Sequence, residues 1–246
     1  MNTERQTDPT YTLYKNGSRG TADHGWLKSF HTFSFGSYYN PERIQFGALR
    51  VFNDDFVEGG MGFGEHPHDN MEIISVPLEG LLEHKDSLGN TTLIKPGEIQ
   101  VMSAGTGVYH TEYNKNRKEP VKFLQIWIFP KTRNVRPRYD QLDFSPKLQK
   151  NKLLQILSPN EDDEGVWIHQ DAWMNIGSFD IDHPIAYTLK KEQNGLFIFV
   201  IEGAIQIESY TLNTRDAIGV FGLAQLKASA IDKSKILLIE VPPFSN

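Results

Sequence analysis

Residues 71–102 read M-E-I-I-S-V-P-L-E-G-L-L-E-H-K-D-S-L-G-N-T-T-L-I-K-P-G-E-I-Q-V-M, and residues 195–221 read G-L-F-I-F-V-I-E-G-A-I-Q-I-E-S-Y-T-L-N-T-R-D-A-I-G-V-F. Both follow one order: apolar strand, Glu-Gly, alternating strand, polar turn, acidic turn, strand. Glu79-Gly80 thus answers Glu202-Gly203, and Glu98 answers Asp216. A chain that repeats such a block must build one small unit twice. Short strands, glycine-rich turns and almost no helical period make that unit a β-barrel or jelly roll. The expected fold class is all-β, two such barrels in tandem with few short helices, the stretch 140–155 being most open to one. Residues 1–135 form the expected first domain and 153–246 the second. Between them 136–152, rich in proline and charge, reads as a linker.

At 246 residues and 39% hydrophobic content the chain is long enough for two cores of this size. The net charge of -6, with lysine and arginine scattered, offers no basic patch and argues against direct nucleic-acid binding. With no cysteine, disulfides, thiolate metal sites and cysteine nucleophiles are excluded. Residues 1–25 lack the apolar core of a signal peptide. No apolar run approaches a membrane span, so a soluble cytoplasmic protein is expected.

The chemistry concentrates in G-M-G-F-G-E-H-P-H-D-N-M-E, residues 60–72, and G-T-G-V-Y-H-T-E-Y-N, residues 105–114. In a strand, residues two apart share a face, so His66 pairs with His68 and His110 with Glu112. Two such strands side by side would make a four-ligand cup. Three imidazoles and a carboxylate suit a first-row transition metal and leave positions open at an octahedral ion. A structural site would instead close its coordination shell. Glu72 shares strand parity with His66 and His68, so spacing alone leaves open whether Glu72 or Glu112 is the carboxylate ligand.

Elsewhere the pattern assigns structure first. F-G-A-L-R-V-F, residues 46–52, reads as a strand closed by the turn signal Asn53-Asp54-Asp55. Residues 20–41 are dense in aromatics and glycines and read as an irregular segment, with His24 and His31 as structural histidines or pocket wall. Alternation in L-L-E-H-K sends His84 toward solvent or a neighbouring strand, without a role. Gln125, the polar interior residue of V-K-F-L-Q-I-W-I-F, is a pocket or core hydrogen-bonding candidate. Trp26, Phe33, Phe35 and Phe63 are candidates for a wall against a flat substrate, or for ordinary core.

G-x5-H-x-H-x3-E with G-x5-S-A-G-x4-H-x-E-x-N resembles the paired motifs of the cupin superfamily. More narrowly, R-G-x4-G-W-L-x-S-x-H-T-F-S-F at 19–35, F-G-A-L-R-V at 46–51, H-P-H-x3-E-I-I-S at 66–75, L-E-H-K-D-S-x-G at 82–89 and S-A-G-T-G-V at 103–108 resemble the bacterial pirins. The resemblance is strong through 19–129 and thinner beyond, where Q-D-A at 170–172 also fits. It implies a bicupin with one metal in the N-terminal barrel, held by His66, His68, His110 and Glu112, with Glu72 behind a ligand imidazole. The metal implied is Fe(II), with Mn, Co, Ni, Cu or Zn able to take the site. The activity implied is that of a quercetin 2,3-dioxygenase, cleaving a flavonol-like substrate with O2, with Glu112 the catalytic base. The same resemblance carries an alternative, a non-enzymatic co-regulator whose metal or redox state is read by a protein partner. The second barrel, lacking a His pair, is expected to be metal-free.

Overall fold

The computed structural model describes residues 8–244, with 56% of the chain in strands and 3% in helix. The chain divides into two compact units, the first made of residues 19–147 and 156–171, the second of 8–18, 148–155 and 172–244. Strands are numbered in chain order, β1 (Thr10–Tyr14) belonging to the second unit. The first unit contains β2 (Gly20–Asp23), β3 (Leu27–His31), β4 (Leu49–Val57), β5 (Gly62–His68), β6 (Glu72–Glu79), β7 (Leu82–Asp86), β8 (Thr91–Ile94), β9 (Glu98–Ser103), β10 (Val108–Asn114), β11 (Val121–Ile128) and β12 (Arg138–Asp143). After β13 (Leu153–Ser158), whose residues are divided between the units, β14 (Val166–Trp167) returns to the first. The second unit then takes β15 (Trp173–Phe179), β16 (Pro184–Thr188), β17 (Gly195–Glu202), β18 (Ala204–Ile207), β19 (Tyr210–Asn213), β20 (Ala217–Phe221), β21 (Gln225–Ala230) and β22 (Ser234–Val241).

Each unit sets a large sheet against a four-stranded one. In the first, the order β12-β9-β6-β11-β4-β3-β2 faces β5-β10-β7-β8; in the second, β1-β20-β17-β22-β15 faces β16-β21-β18-β19. This is a jelly-roll arrangement built twice. The repeat holds in backbone detail. Gly80 and Gly203 sit at φ 82° and 80°, and a Cβ on either would strike the backbone of a neighbouring strand, which is why Glu-Gly ends both apolar strands. Glu98 accepts the N–H of Lys95 at 3.0 Å, and Asp216 accepts that of Asn213 at 3.0 Å. The acidic turn is therefore one device used twice.

The strands β6, β11, β17 and β22 are buried on both faces, as their largely apolar runs require. Each fully buried Ile, Leu or Phe there contributes about 1.5–3 kcal/mol. In the first unit Leu82, Ile94, Val121 and Phe123 form one core cluster. In the second, Ile198, Val200, Ile205, Ile207, Leu226 and Leu238 fill the interior.

Three expectations are corrected. Arg138–Asp143, read as linker, is a strand paired with β9 along its whole length; its polar side chains suit a half-buried edge position. Asn53-Asp54-Asp55 is no turn: β4 runs through it, paired with β11 on one side and β3 on the other. Residues 20–41 contain two regular strands, β2 and β3. The 3₁₀ turn Ser145–Lys147 does fall within 140–155. No helix among the described residues is long and apolar enough to cross a membrane.

Candidate metal centre

The two histidine stretches become β5 and β10, antiparallel neighbours with His66 opposite His110 and His68 opposite Val108. The register then shifts, so that Glu112 stands opposite Phe63. The shift spends an extra residue of β5 near Gly64, a bulge of the kind that re-aims side chains beside sites. Ring centroids are 4.9 Å apart for His66 and His68, 4.4 Å for His66 and His110, and 4.9 Å for His68 and His110. One nitrogen from each of the three lies within 4.8 Å of the others.

Each ring is held by its surroundings. His66 Nδ1–H donates to the Gly64 carbonyl at 2.7 Å, which leaves Nε2 with a free lone pair. The His68 ring meets Trp127 edge-on at 4.8 Å. Nε2 of His68 and both ring nitrogens of His110 are buried without a hydrogen-bond partner. Burial, then the neighbouring imidazoles His110 and His66, lowers the His68 pKa to about 4. Burial, then His66 and His84, lowers that of His110 to about 3. Near neutral pH both rings are therefore neutral and available as ligands.

Glu112 is 2% exposed. Ser75 Oγ–H donates to its Oε1 at 2.9 Å and Gln125 Nε2–H to its Oε2 at 2.7 Å. Both donors come from the facing sheet, where Ser75 and Gln125 are direct cross-strand partners. Glu112 converges with His84 and His110 in a second group of potential ligand atoms, within 4.8 Å of one another, rather than with His66 and His68.

A cavity of about 430 Å³ opens beside this cluster. Phe35, Phe63 and Trp127 give it apolar walls, and Gln125 and Glu112 its polar end. Phe33 is 1% exposed and belongs to the core. Trp26 packs edge-on against Phe63 at 5.5 Å and does not line the cavity.

Glu72 is placed away from the cluster. Asp69-Asn70, with Asn70 at φ 46°, ends β5 and delivers β6 to the other sheet, so strand parity does not carry across from His68. Its Oε2 accepts the Ser103 hydroxyl at 2.6 Å. Burial raises its pKa to about 7, against the Ser103 hydroxyl, the His169 N–H and Arg138, which lower it. The folded state thus holds a proton that the unfolded chain has lost between the ordinary glutamate value and about 7, and stability falls as pH rises through that window. Glu72→Gln removes the cost. Urea denaturation should show the variant gaining on the order of 2 kcal/mol over wild type at pH 8 and almost nothing at pH 4. An equal shift at both pH values would sink this account of Glu72.

Sequence reasoning missed several residues at the site. His84, expected toward solvent or a neighbouring strand and given no role, is fully buried, its ring 5.3 Å from that of His110 on the neighbouring strand β10. Parity counted from Leu82, which is buried at the start of β7, turns it inward. Asn53 and Asp55 line the cavity opposite His31 and Ser29 of β3. Ser29 Oγ–H donates to Asp55, whose pKa burial raises to about 7. Their polarity had suggested a turn; it marks a strand with a polar inner face.

Comparison with known proteins agrees with this architecture along almost the full chain. Residues 14–128 match the family model described as Pirin, and 155–241 that described as Quercetinase C-terminal cupin domain. A quercetin 2,3-dioxygenase of Escherichia coli K12 is 40% identical over 94% of this chain and 98% of its own. A pirin-like protein of Caulobacter vibrioides is 36% identical over 90% and 95%. Among solved structures, YhhW of Escherichia coli superposes with a TM-score of 0.91 at 38% identity, covering 96% of this chain and 100% of that one. The nickel(II) complex of the same bacterial pirin gives 0.89 at 39%, covering 95% and 100%. With its doubled jelly roll and matching motifs at both ends, the chain belongs to the pirin family of the cupin superfamily.

Proposed function

We propose that this protein is a metal-dependent dioxygenase that cleaves a flavonol-like enol with O2 at a single centre in the first barrel. The observation that supports this most is the set of buried imidazole nitrogens on His68 and His110 with nothing to bind, converging with His66. Buried polar atoms in folded proteins normally find a partner, and these fit a divalent transition ion. His66, His68 and His110 would hold it, with Glu112 as the carboxylate ligand. Fe(II) is the metal proposed, although Mn, Co, Ni, Cu or Zn suit the same donor set. When bound, such an ion supplies Lewis acidity toward an enolic oxygen and lowers the pKa of that hydroxyl.

The chain's own groups do the rest. Glu112 accepts the enolic proton on a carboxylate oxygen; Ser75 and Gln125 hold that carboxylate in place, as a general base requires. Phe35, Phe63 and Trp127 hold a flat aromatic substrate between them. The second barrel takes no metal in this reading. Aligned through Gly80 and Gly203, Ile207 stands at the place of His84 and Ala228, its cross-strand partner, at that of Glu112. Leu226 then takes the place of His110.

The test is aerobic turnover of quercetin by metal-depleted protein reloaded in turn with Fe, Mn, Co, Ni, Cu and Zn, with Glu112→Ala as control. Turnover that follows the metal and is lost in the variant supports the dioxygenase. No turnover with any fully bound metal removes it for this substrate and favours metal-dependent binding of a protein partner.

A further inference from the structure

We propose that Asp86 and His84 form a buried relay that fixes which nitrogen His110 offers to a metal ion, His84 acting as a positioning residue. This rests on the metal reading above. It begins with register: β7 flanks β10 on the side away from β5, setting Asp86 opposite His110 and His84 opposite Glu112. The side chains of His84 and Asp86 are both 0% exposed.

The direction of the relay follows from Asp86. Its Oδ1 accepts the N–H of Leu88 at 2.9 Å, the N–H of Asn90 at 3.1 Å and Asn90 Nδ2–H at 3.1 Å. Its Oδ2 accepts Asn90 Nδ2–H at 2.9 Å and faces His84 Nε2, also at 2.9 Å. A carboxyl surrounded by donors is a carboxylate with no proton to give. His84 must therefore carry a proton on Nε2, and in the neutral ring its Nδ1 is a lone pair. That Nδ1 is buried and has no partner.

His110 supplies the missing half. Its ring lies between two neighbours, His66 at 4.4 Å on the side of β5 and His84 at 5.3 Å on the side of β7. An imidazole that binds a metal through one nitrogen carries a proton on the other, and in a dry interior that N–H needs an acceptor. His84 Nδ1 is an acceptor already oriented by a buried carboxylate. Tyr139 packs on the His84 ring at 4.8 Å, and its hydroxyl is tied to Thr92 at 2.6 Å and Gln141 at 2.8 Å. The His84 ring is thus fixed on both sides. The competing use of the same atoms is a second metal ion among His84, His110 and Glu112, and the experiment separates the two.

The probe is Ni(II), titrated into metal-free protein against a chromophoric chelator, for wild type, Asp86→Asn, His84→Phe and His84→Gln. Asp86→Asn is nearly isosteric: its oxygen stays with the Leu88 and Asn90 donors, so its amide N–H turns toward His84 Nε2. That reverses the His84 tautomer and faces His110 with a donor. Wild type should bind one Ni(II) per chain. Asp86→Asn and His84→Phe should weaken binding 10- to 100-fold, and His84→Gln, which retains an acceptor, should recover part of the loss. A second readout responds to the relay and not to packing, namely the exchangeable imidazole N–H protons of the Co(II)-loaded protein. The His110 N–H should be a slowly exchanging, paramagnetically shifted signal in wild type and should vanish in His84→Phe. Tight wild-type binding left unchanged by all three variants overturns the relay alone. Two ions per chain, one lost in His84→Phe, overturns it in favour of a second site. Failure of wild type to bind any metal removes the metal reading, and the relay with it.

Discussion

His66→Ala and His110→Ala should each lower metal-dependent turnover by about a thousandfold or more. Lewis acidity of the proposed ion stabilises developing charge by several kcal/mol, each 1.36 kcal/mol being a factor of about ten in rate. The two variants differ in a useful way. His66 is half-buried on the cavity side, whereas His110 is 2% exposed. His110→Ala opens a small void in the core as well as deleting a ligand, so part of its effect can come through stability. His66→Ala leaves the interior intact and isolates the ligand role. Elemental analysis of the purified variants, with circular dichroism to confirm folding, checks the link. A folded, metal-depleted His66→Ala that keeps wild-type turnover would falsify the metal-dependent mechanism.

The clarity of the two histidine strands in the sequence has a physical basis. His-x-His needs only the two-residue period of a strand, and His66, His68 and His110 stand where that period puts them. The same rule left Glu72 open as a ligand because it was extended across Asp69-Asn70, where the chain leaves one sheet for the other. Parity is a property of one strand and does not survive a turn. For His84 the same period has two answers: L-L-E-H-K turns it inward counted from Leu82 and outward counted from Leu81, and only the strand's start at Leu82 decides between them.

Asn53-Asp54-Asp55 shows the limit of composition. Three residues with high turn propensity sit inside a nine-residue strand because both neighbouring strands supply its hydrogen bonds and the cavity accepts its inner side chains. Tertiary context overrides local preference there, and it does so beside the proposed site, where such violations are expected. The repeat was legible for a different reason. Glu-Gly and the acidic turn are backbone requirements, fixed by φ and by hydrogen bonds to main chain, and these outlast the divergence of side chains between the barrels.

Glu240→Ala should destabilise the second unit by about 4 kcal/mol, well above an ordinary point mutation. Glu240 is 0% exposed on β22, on the same face as the core residues Ile236 and Leu238. It accepts the Tyr187 hydroxyl at 2.8 Å, the N–H of Lys190 at 2.9 Å, the N–H of Lys191 at 3.0 Å and Asn194 Nδ2–H at 2.8 Å. Burial first, and then this carboxylate, raises the pKa of the Tyr187 phenol and keeps it a donor. Deleting the carboxylate strands four donors, each worth about 1–3 kcal/mol when left unpaired, with partial recovery as the site relaxes. Glu240→Gln keeps one acceptor oxygen and should lose less. Tyr187→Phe removes one of the stranded donors, so the double variant should be less destabilised than the sum of the two singles. Amide exchange along β22 measures the effect locally. Additive losses, or a change below about 1 kcal/mol in Glu240→Ala, would show that Glu240 is dispensable to this barrel. The contrast with the first unit is chemical. There a buried carboxylate accepts two side-chain donors and stays beside unpartnered imidazoles; in the second unit the buried carboxylate of Glu240 spends both oxygens on donors of its own barrel.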